Sequence, residues 1–445
     1  MKYLLVIGDG MAEDPIPELD GKTPLQYADI PAMDKLASAG VLGSVLTTPE
    51  GMQAGSDTAI LSIYGCDPRV CYTGRAPLEA AATGIKLFAG DVAYRCNMLS
   101  IEDGTIPFEE KKVISHSAGA IEGVESNTLI NDLFNNPVFK EAADKAGISI
   151  YPGSSFRHIA VQRQGDGSSV LKTDENFLSQ KVIAKPDEPS PCLVAKPDEP
   201  SPCLACVLTP PHDHLDEALG QHLPRGNANA TALEKLIQLS HDFLNNHPIN
   251  KKRRKEGKLP ANCIWFWAEG TAALLPKFTD MYGKTGSVIS AVPLCQGIGV
   301  LIGLEKITVE GATGELHTNY EGKVTAAIES LKTHDFTTIH IEAPDECTHN
   351  GDLKGKLQAI EWIDSRAVML LLEKLKENET EFRMILMSDH RTLTSTRGHD
   401  SGLVPYVLYD SRFDEKKGLK FTEKEAEKGE VVDEARKLMK LLFEQ

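Results

Sequence analysis

Tyr3-Leu4-Leu5-Val6-Ile7-Gly8-Asp9-Gly10 is a short apolar run stopped by glycine, with an aspartate just past its end. An unbroken apolar run of this length predicts a strand buried on both faces, as in a parallel sheet. The same pattern returns near the other end of the chain. Thr337-Thr338-Ile339-His340-Ile341 runs into Glu342-Ala343-Pro344-Asp345, and Arg383-Met384-Ile385-Leu386-Met387 runs into Ser388-Asp389-His390. A fourth run, Val404-Pro405-Tyr406-Val407-Leu408-Tyr409, contains a proline and is expected as an edge or terminal strand.

Helical patterns lie between these runs, at 32–39, at 357–375 and at 430–443; Ile360, Ile363, Val368, Leu371, Leu372 and Leu375 mark the long one. Strands alternating with helices predict an α/β fold, a mostly parallel sheet flanked by helices. Because the strand-like runs come from both ends of the chain, residues 1–70 and 280–445 are expected to form the core. Residues 71–279 are expected as an inserted, smaller α/β domain.

A chain of 445 residues suits two domains, and its 41% hydrophobic and 25% charged residues suit a soluble globular protein. The formal charge of −17 argues against nucleic acid or an anionic membrane as partner, and leaves room for a local basic pocket that takes a small anion. No apolar run approaches the roughly 20 residues of a spanning helix, and the opening run is too short for a signal peptide. Nine cysteines, with Cys203 and Cys206 the closest pair and no second pair to complete a zinc site, read as reduced thiols in the cytoplasm. The ten residues 184–193 recur identically at 195–204; three prolines in each copy forbid helix, and the duplication is expected as an exposed loop without function.

Asp9, Asp345 and Asp389 would all lie at the C-terminal edge of the sheet, where open α/β sheets bind ligands. A lone aspartate after a strand is usually a turn or capping residue. Here, however, His349 follows Asp345 by one helical turn, and His390 and His399 follow Asp389. Three carboxylates at one edge repel one another unless a cation neutralises them. Mixed carboxylate and imidazole donors suit Mn²⁺ or Zn²⁺ better than Mg²⁺, and six such groups suffice for a two-metal site. Ser56, in Gly55-Ser56-Asp57, reads alone as a helix cap; beside a metal cluster it reads as a nucleophile at a helix N-terminus.

In this order, the opening Gly8-Asp9-Gly10, Gly55-Ser56-Asp57, Pro344-Asp345-Glu346-Cys347-Thr348-His349 and Ser388-Asp389-His390 with His399 resemble the alkaline phosphatase superfamily. More narrowly they resemble the archaeal-type, cofactor-independent phosphoglycerate mutases. Tyr72-Thr73-Gly74-Arg75, Tyr94-Arg95-Cys96-Asn97, Tyr151 to His158, Thr209 to Asp213 and Gly311 to Gly314 match that family too. The resemblance implies an alkaline-phosphatase-like core. It also implies one metal held by Asp9, Ser56, Asp389 and His390, and another held by Asp345, His349 and His399. Mn²⁺ is the favoured ion, with Zn²⁺, Co²⁺ or Mg²⁺ as alternatives, and 2,3-bisphosphoglycerate is not needed. Ser56 would take the phosphoryl group of 3-phosphoglycerate and return it to the 2-position, under an inserted domain that closes on this small phosphorylated acid.

An anion with carboxylate and phosphate requires guanidinium groups, and Arg75 and Arg157 are preferred. Arg95, His158, Arg253 and Lys284 lie in matching segments. Tyr282-Gly283-Lys284-Thr285 lacks the GxxxxGK spacing of a nucleotide loop. Three departures keep other activities open, one of them the loop Arg391-Thr392-Leu393-Thr394, less proline-rich than the family's version. Ser117-Ala118-Gly119-Ala120 lacks a family-typical histidine, and Trp265-Phe266-Trp267-Ala268-Glu269-Gly270 resembles a bacterial branch proposed to be homoserine kinases. The alternatives are therefore a homoserine kinase-like phosphotransferase and a metal-dependent phosphomonoesterase.

Overall fold

Eight strands form one sheet, in the spatial order Glu430–Val432, Val41–Val45, Val404–Asp410, Phe382–Met387, Lys2–Gly8, Phe336–Ile341, Gly286–Ile289, Glu305–Ile307. The computed structural model describes residues 1–153, 155–163, 206–413 and 417–444; the duplicated segment lies outside them. Pairing is parallel except where Val404–Asp410 meets its two neighbours. Lys2–Gly8 is central, and alternation sends Leu5 and Ile7 into one apolar layer and Leu4 and Val6 into the other. Its register sets Ile7 beside both His340 and Met387, so Asp9, Glu342 to Asp345, and Asp389 emerge at one edge.

Two expected elements differ. Val404–Asp410 is interior, not an edge: it pairs with Val41–Val45 and with Phe382–Met387. Pro405 is tolerated there because its neighbour's ladder ends one residue away, at Met387 opposite Tyr406. The terminal stretch is not one helix. Glu430–Val432 adds an edge strand beside Val41–Val45, and only Leu438–Phe443 is α-helical. The long helix forms as two α segments, Leu353–Trp362 and Met369–Glu377, joined by a π turn over Ile363–Val368. In that turn Asp364 accepts the N–H groups of Ala32 and Met33, at the start of the Pro31–Ala39 helix.

A second sheet is antiparallel. Val92–Ile101 is its spine, paired with Arg157–Gln162, with Cys263–Thr271 and, at its end, with Val113–Ser115, while Ile148–Tyr151 lies outside Arg157–Gln162. Helices Gly123–Asn135, Pro137–Ala146 and Ala228–Leu244 pack on it around Leu129, Phe139 and Leu236. Helix Arg75–Ala82 joins the two bodies: Leu78 belongs to the large core, Ala76 and Ala80 to the small sheet's cluster. A Cβ on Gly297 would sit 1.8 Å from the Leu78 carbonyl oxygen, so glycine is required for this approach. Among the described residues the seven cysteines are free, and no helix is long and apolar enough to cross a membrane.

Candidate metal centre

Each acidic group at the sheet edge is placed by its own strand. The Asp9 N–H donates to Ile341 O at 2.9 Å, which ties the first turn to the neighbouring strand. Gly10 then takes φ +65, with Asp345 packed so closely that a Cβ would lie 2.9 Å from its Cα. Asp345 and His349 share one face of the Ala343–His349 helix. Asp389 follows Phe382–Met387, and the hairpin of Arg391–Leu393 with Gly398–Asp400 sets His399 opposite Thr392. That register returns His399 to within 4.1 Å of His390, ring to ring.

The donor atoms converge as co-ligands do. Asp345 Oδ2 lies 3.2 Å from His349 Nε2, Asp345 Oδ1 lies 3.4 Å from His399 Nε2, and the two Nε2 atoms are 2.9 Å apart. Around an ion with bonds of about 2.1 Å, tetrahedral neighbours sit about 3.4 Å apart. Asp9 Oδ1 and Asp389 Oδ2 are buried and have no hydrogen-bond partner. Unpartnered buried carboxylate oxygens are costly, and a divalent cation between them removes the cost. Without such a cation, burial and then the charges of Asp389 and Asp345 push the Asp9 carboxyl well above its ordinary value. Burial alone would raise Asp345, yet hydrogen bonds from His349 and His399 hold it well below. His349 rises in answer to about 9, chiefly through its bond to Asp345. The residues present fit divalent metal.

Hydrogen-bond accounting also assigns the ring protons. The Thr392 hydroxyl donates to Asp345 Oδ1 at 2.6 Å, so it accepts from His390 Nδ1 at 3.1 Å. His390 Nε2 is left with its lone pair, 3.1 Å from Ser56 Oγ and 3.3 Å from Asp9 Oδ1. Ser56 opens the Ser56–Ile63 helix, with Gly55 as its N-cap and no side-chain cap. The serine is thus not the cap; its hydroxyl points to Asp9 Oδ2 at 3.4 Å.

His340 is a group that the sequence reading passed over. Val292 N–H donates to Ser290 Oγ at 3.0 Å, and Ser290 Oγ meets His340 Nδ1 at 3.1 Å. The imidazole is kept neutral, its pKa pushed down to about 4 by burial. A carboxylate oxygen only accepts, so the neutral ring's Nε2–H donates to Asp9 Oδ2 at 3.1 Å, Nδ1 accepts from Ser290 Oγ, and Asp9 Oδ1 is left as the open oxygen. An imidazole inside a fully buried strand is the available sign, because a buried polar ring must find partners. Glu342, pushed up to about 8 by burial and then by Glu346 and Asp345, was also passed over.

Opposite this edge stand arginines of the smaller sheet and its linker. Arg75 Nε donates to Asp57 Oδ2 at 3.0 Å, and Tyr72 donates to the same oxygen at 2.7 Å. Arg95 pairs with Glu79 and lies 4.8 Å over the Trp267 ring. Arg157 makes no hydrogen bond among the described residues and stacks 5.1 Å from Phe156. Burial first, then Arg95 and Arg75, lowers Arg157 against the opposing pull of Glu79 and Glu346. His212 packs on Trp267 at 5.1 Å, and His116 lies 6.0 Å from His212.

Three sequence candidates lie elsewhere. Lys284 precedes Gly286–Ile289, a strand parallel to the centre of the sheet, so it lies at the opposite edge with Nζ 5.3 Å over the Tyr3 ring. His158 is buried with both nitrogens engaged, Nδ1 accepting from Gly153 N–H at 3.0 Å and Nε2 meeting Ser126 Oγ at 2.9 Å. Arg253 is buried against Glu125 and the carbonyls of Leu259 and Ala118. His158 and Arg253 are held by partners within the smaller body.

The mostly parallel α/β sheet and the Asp/His cluster at its C-terminal edge define a metal-dependent enzyme. The chain belongs to the metalloenzyme superfamily, whose sequence model matches residues 1–445, and within it to the 2,3-bisphosphoglycerate-independent phosphoglycerate mutases. It is 38% identical to the probable mutase of that type from Geobacter sulfurreducens, over 100% of each chain. It is 40% identical to the one from Methanosarcina acetivorans, over 96% of this chain and 95% of the relative. A solved protein of Pyrococcus horikoshii superposes with a TM-score of 0.74 at 28% identity, covering 99% of this chain and 96% of that one.

Proposed function

We propose that this enzyme interconverts 3-phosphoglycerate and 2-phosphoglycerate through a phosphoserine at Ser56, without 2,3-bisphosphoglycerate. The observation that carries it is the position of Ser56 Oγ: at a helix start, 3.1 Å from His390 Nε2 and beside the unpartnered carboxylate oxygens of Asp9 and Asp389. One ion would be held by Asp9, Ser56, Asp389 and His390, and a second by Asp345, His349 and His399, with Mn²⁺ the favoured species. Bound there, divalent metal supplies positive charge to a phosphoryl group and acidifies a coordinated hydroxyl. Ser56 Oγ gives up its proton and attacks phosphorus, the glycerate oxygen leaves and takes up a proton, and the reverse attack by the other glycerate hydroxyl, which gives up its proton in turn, restores the protonated serine. The Ser56–Ile63 helix directs N–H groups at the transferred phosphate. Arg157 and Arg75 grip the acid while it turns, and the body built on the antiparallel sheet closes over it. The names of the full-length relatives support the mutase over a kinase.

The test is a paired assay on Mn²⁺-loaded protein. Conversion of 3-phosphoglycerate alone, with no phosphorylation of homoserine by ATP, supports the mutase. The reverse result moves the enzyme to the kinase with its metal centre unchanged.

A further inference from the structure

His214, Glu217 and His222 gather on the segment after residue 205, outside the centre above. Glu217 Oε2 lies 3.2 Å from His214 Nδ1 and 2.8 Å from His222 Nε2, and the two rings stack with centroids 3.9 Å apart. The two approaches differ in kind. His214 meets the carboxylate in hydrogen-bond geometry. His222 Nε2 is closer and buried, yet makes no hydrogen bond, so its N–H or lone pair is not aimed at the oxygen. His222 Nε2 is thus a buried polar atom left without a partner among the described residues, beside a carboxylate and a second imidazole.

The spacing fits that point being a metal. One ligand atom from each of the three residues lies within 4.8 Å of the others. A four-coordinate Zn²⁺ with bonds of about 2.0–2.2 Å spaces its ligands about 3.4 Å apart, close to the 3.2 Å and 2.8 Å that separate Glu217 Oε2 from the two imidazole nitrogens. Two imidazoles and one carboxylate select a borderline transition ion over Mg²⁺ or Ca²⁺. The backbone already holds the group in place: Val113 N–H donates to Glu217 O, Asp216 N–H donates to Val113 O, and Leu219 is buried beneath. The segment also has two single-turn 3₁₀ elements, Pro211–Asp213 and Leu219–Gln221, and a bridge between Val207 and Arg225. It also carries His212, which packs on Trp267 beside Arg95.

We propose that His214, Glu217 and His222 form a peripheral site for a divalent ion of the Zn²⁺ class, water completing its coordination. The ion pins the segment that carries His212 against the smaller sheet. This site is separate from the catalytic ions and does not depend on the mutase reading.

Equilibrium dialysis of Zn²⁺ against the full chain tests it, comparing wild type with Glu217→Gln and with the double variant His214→Ala/His222→Ala. Wild type should bind one Zn²⁺ per chain more than the double variant, Glu217→Gln should weaken that site at least tenfold, and Zn²⁺ should raise the melting temperature of wild type more than that of either variant. Equal Zn²⁺ stoichiometry in wild type and double variant overturns the site. Should the double variant not fold, unchanged Zn²⁺ affinity in the half-exposed Glu217→Gln overturns it equally.

Discussion

The strand-end edge of the large sheet and the arginine-bearing wall of the smaller body are opposites in charge and in rigidity. At the edge, Asp9, Asp389 and His390 are wholly buried, and almost every polar atom is fixed by a partner. The exceptions are the open oxygens on Asp9 and Asp389. On the wall, the Arg157 guanidinium makes no hydrogen bond among the described residues, whereas Arg75 and Arg95 already have carboxylate partners. The edge presents unpartnered carboxylate oxygens, and the wall presents the Arg157 guanidinium. A phosphorylated acid between metal ions and guanidinium groups satisfies both, and the difference in rigidity separates chemistry from grip.

The largest expected effect falls on the edge. Ser56→Ala should lower turnover by many orders of magnitude while leaving the melting temperature nearly unchanged, because Gly55 is the helix cap and the serine caps nothing. A folded Ser56→Ala enzyme with near-normal rate breaks the division between the two regions.

Removal of metal comes next. Excess chelator should abolish activity, Mn²⁺ should restore it, and His399→Ala should weaken one ion selectively, since Asp9 and Asp389 remain for the other. Full activity in chelator, with no metal found by elemental analysis, contradicts the assignment of the open oxygens.

The wall should respond in binding. Arg157→Ala should raise KM about tenfold to a hundredfold, the worth of one charge-assisted bidentate contact, with little change in melting temperature. Arg75→Ala should cost affinity and stability together, because it strips a partner from the buried Asp57. Equal stability losses in the two variants would erase the distinction between free and engaged arginines.

The smallest effect concerns His158, now a structural group of the smaller body. Burial lowers its pKa to about 4 in the fold from an ordinary 6.5. Between those values the unfolded chain binds the proton and the folded one does not, so stability is lost as pH falls from 6.5 toward 4. His158→Gln should flatten that acid limb, as read from urea midpoints across pH. An unchanged limb removes His158 from the account.

How far the site could be read from sequence follows from where each residue's partners lie. Asp9, Asp345 and Asp389 were legible because buried parallel strands are short unbroken apolar runs and each aspartate stands just past one. His349 was legible from helical spacing to Asp345. His399 could be named by motif, but its return to His390 depends on a hairpin register across Thr392. His340 and Thr392 carry their meaning only through contacts with Asp9 and Asp345, far away in the chain. Lys284 shows the converse: a matching segment says nothing of strand direction, and direction puts it at the wrong edge. Glu430–Val432 is three residues long and pairs along one side, too little pattern to outweigh the helical spacing around it.

The central claim is that phosphate passes through Ser56. Acid-quenching the Mn²⁺-loaded enzyme during turnover of 3-phosphoglycerate labelled in its phosphate, followed by peptide mapping, tests it most directly. The account predicts label on the peptide containing Ser56, absent in Ser56→Ala, with the remaining label in 2- and 3-phosphoglycerate. Label on another residue, or full turnover with no phosphoenzyme and label appearing as inorganic phosphate, contradicts it.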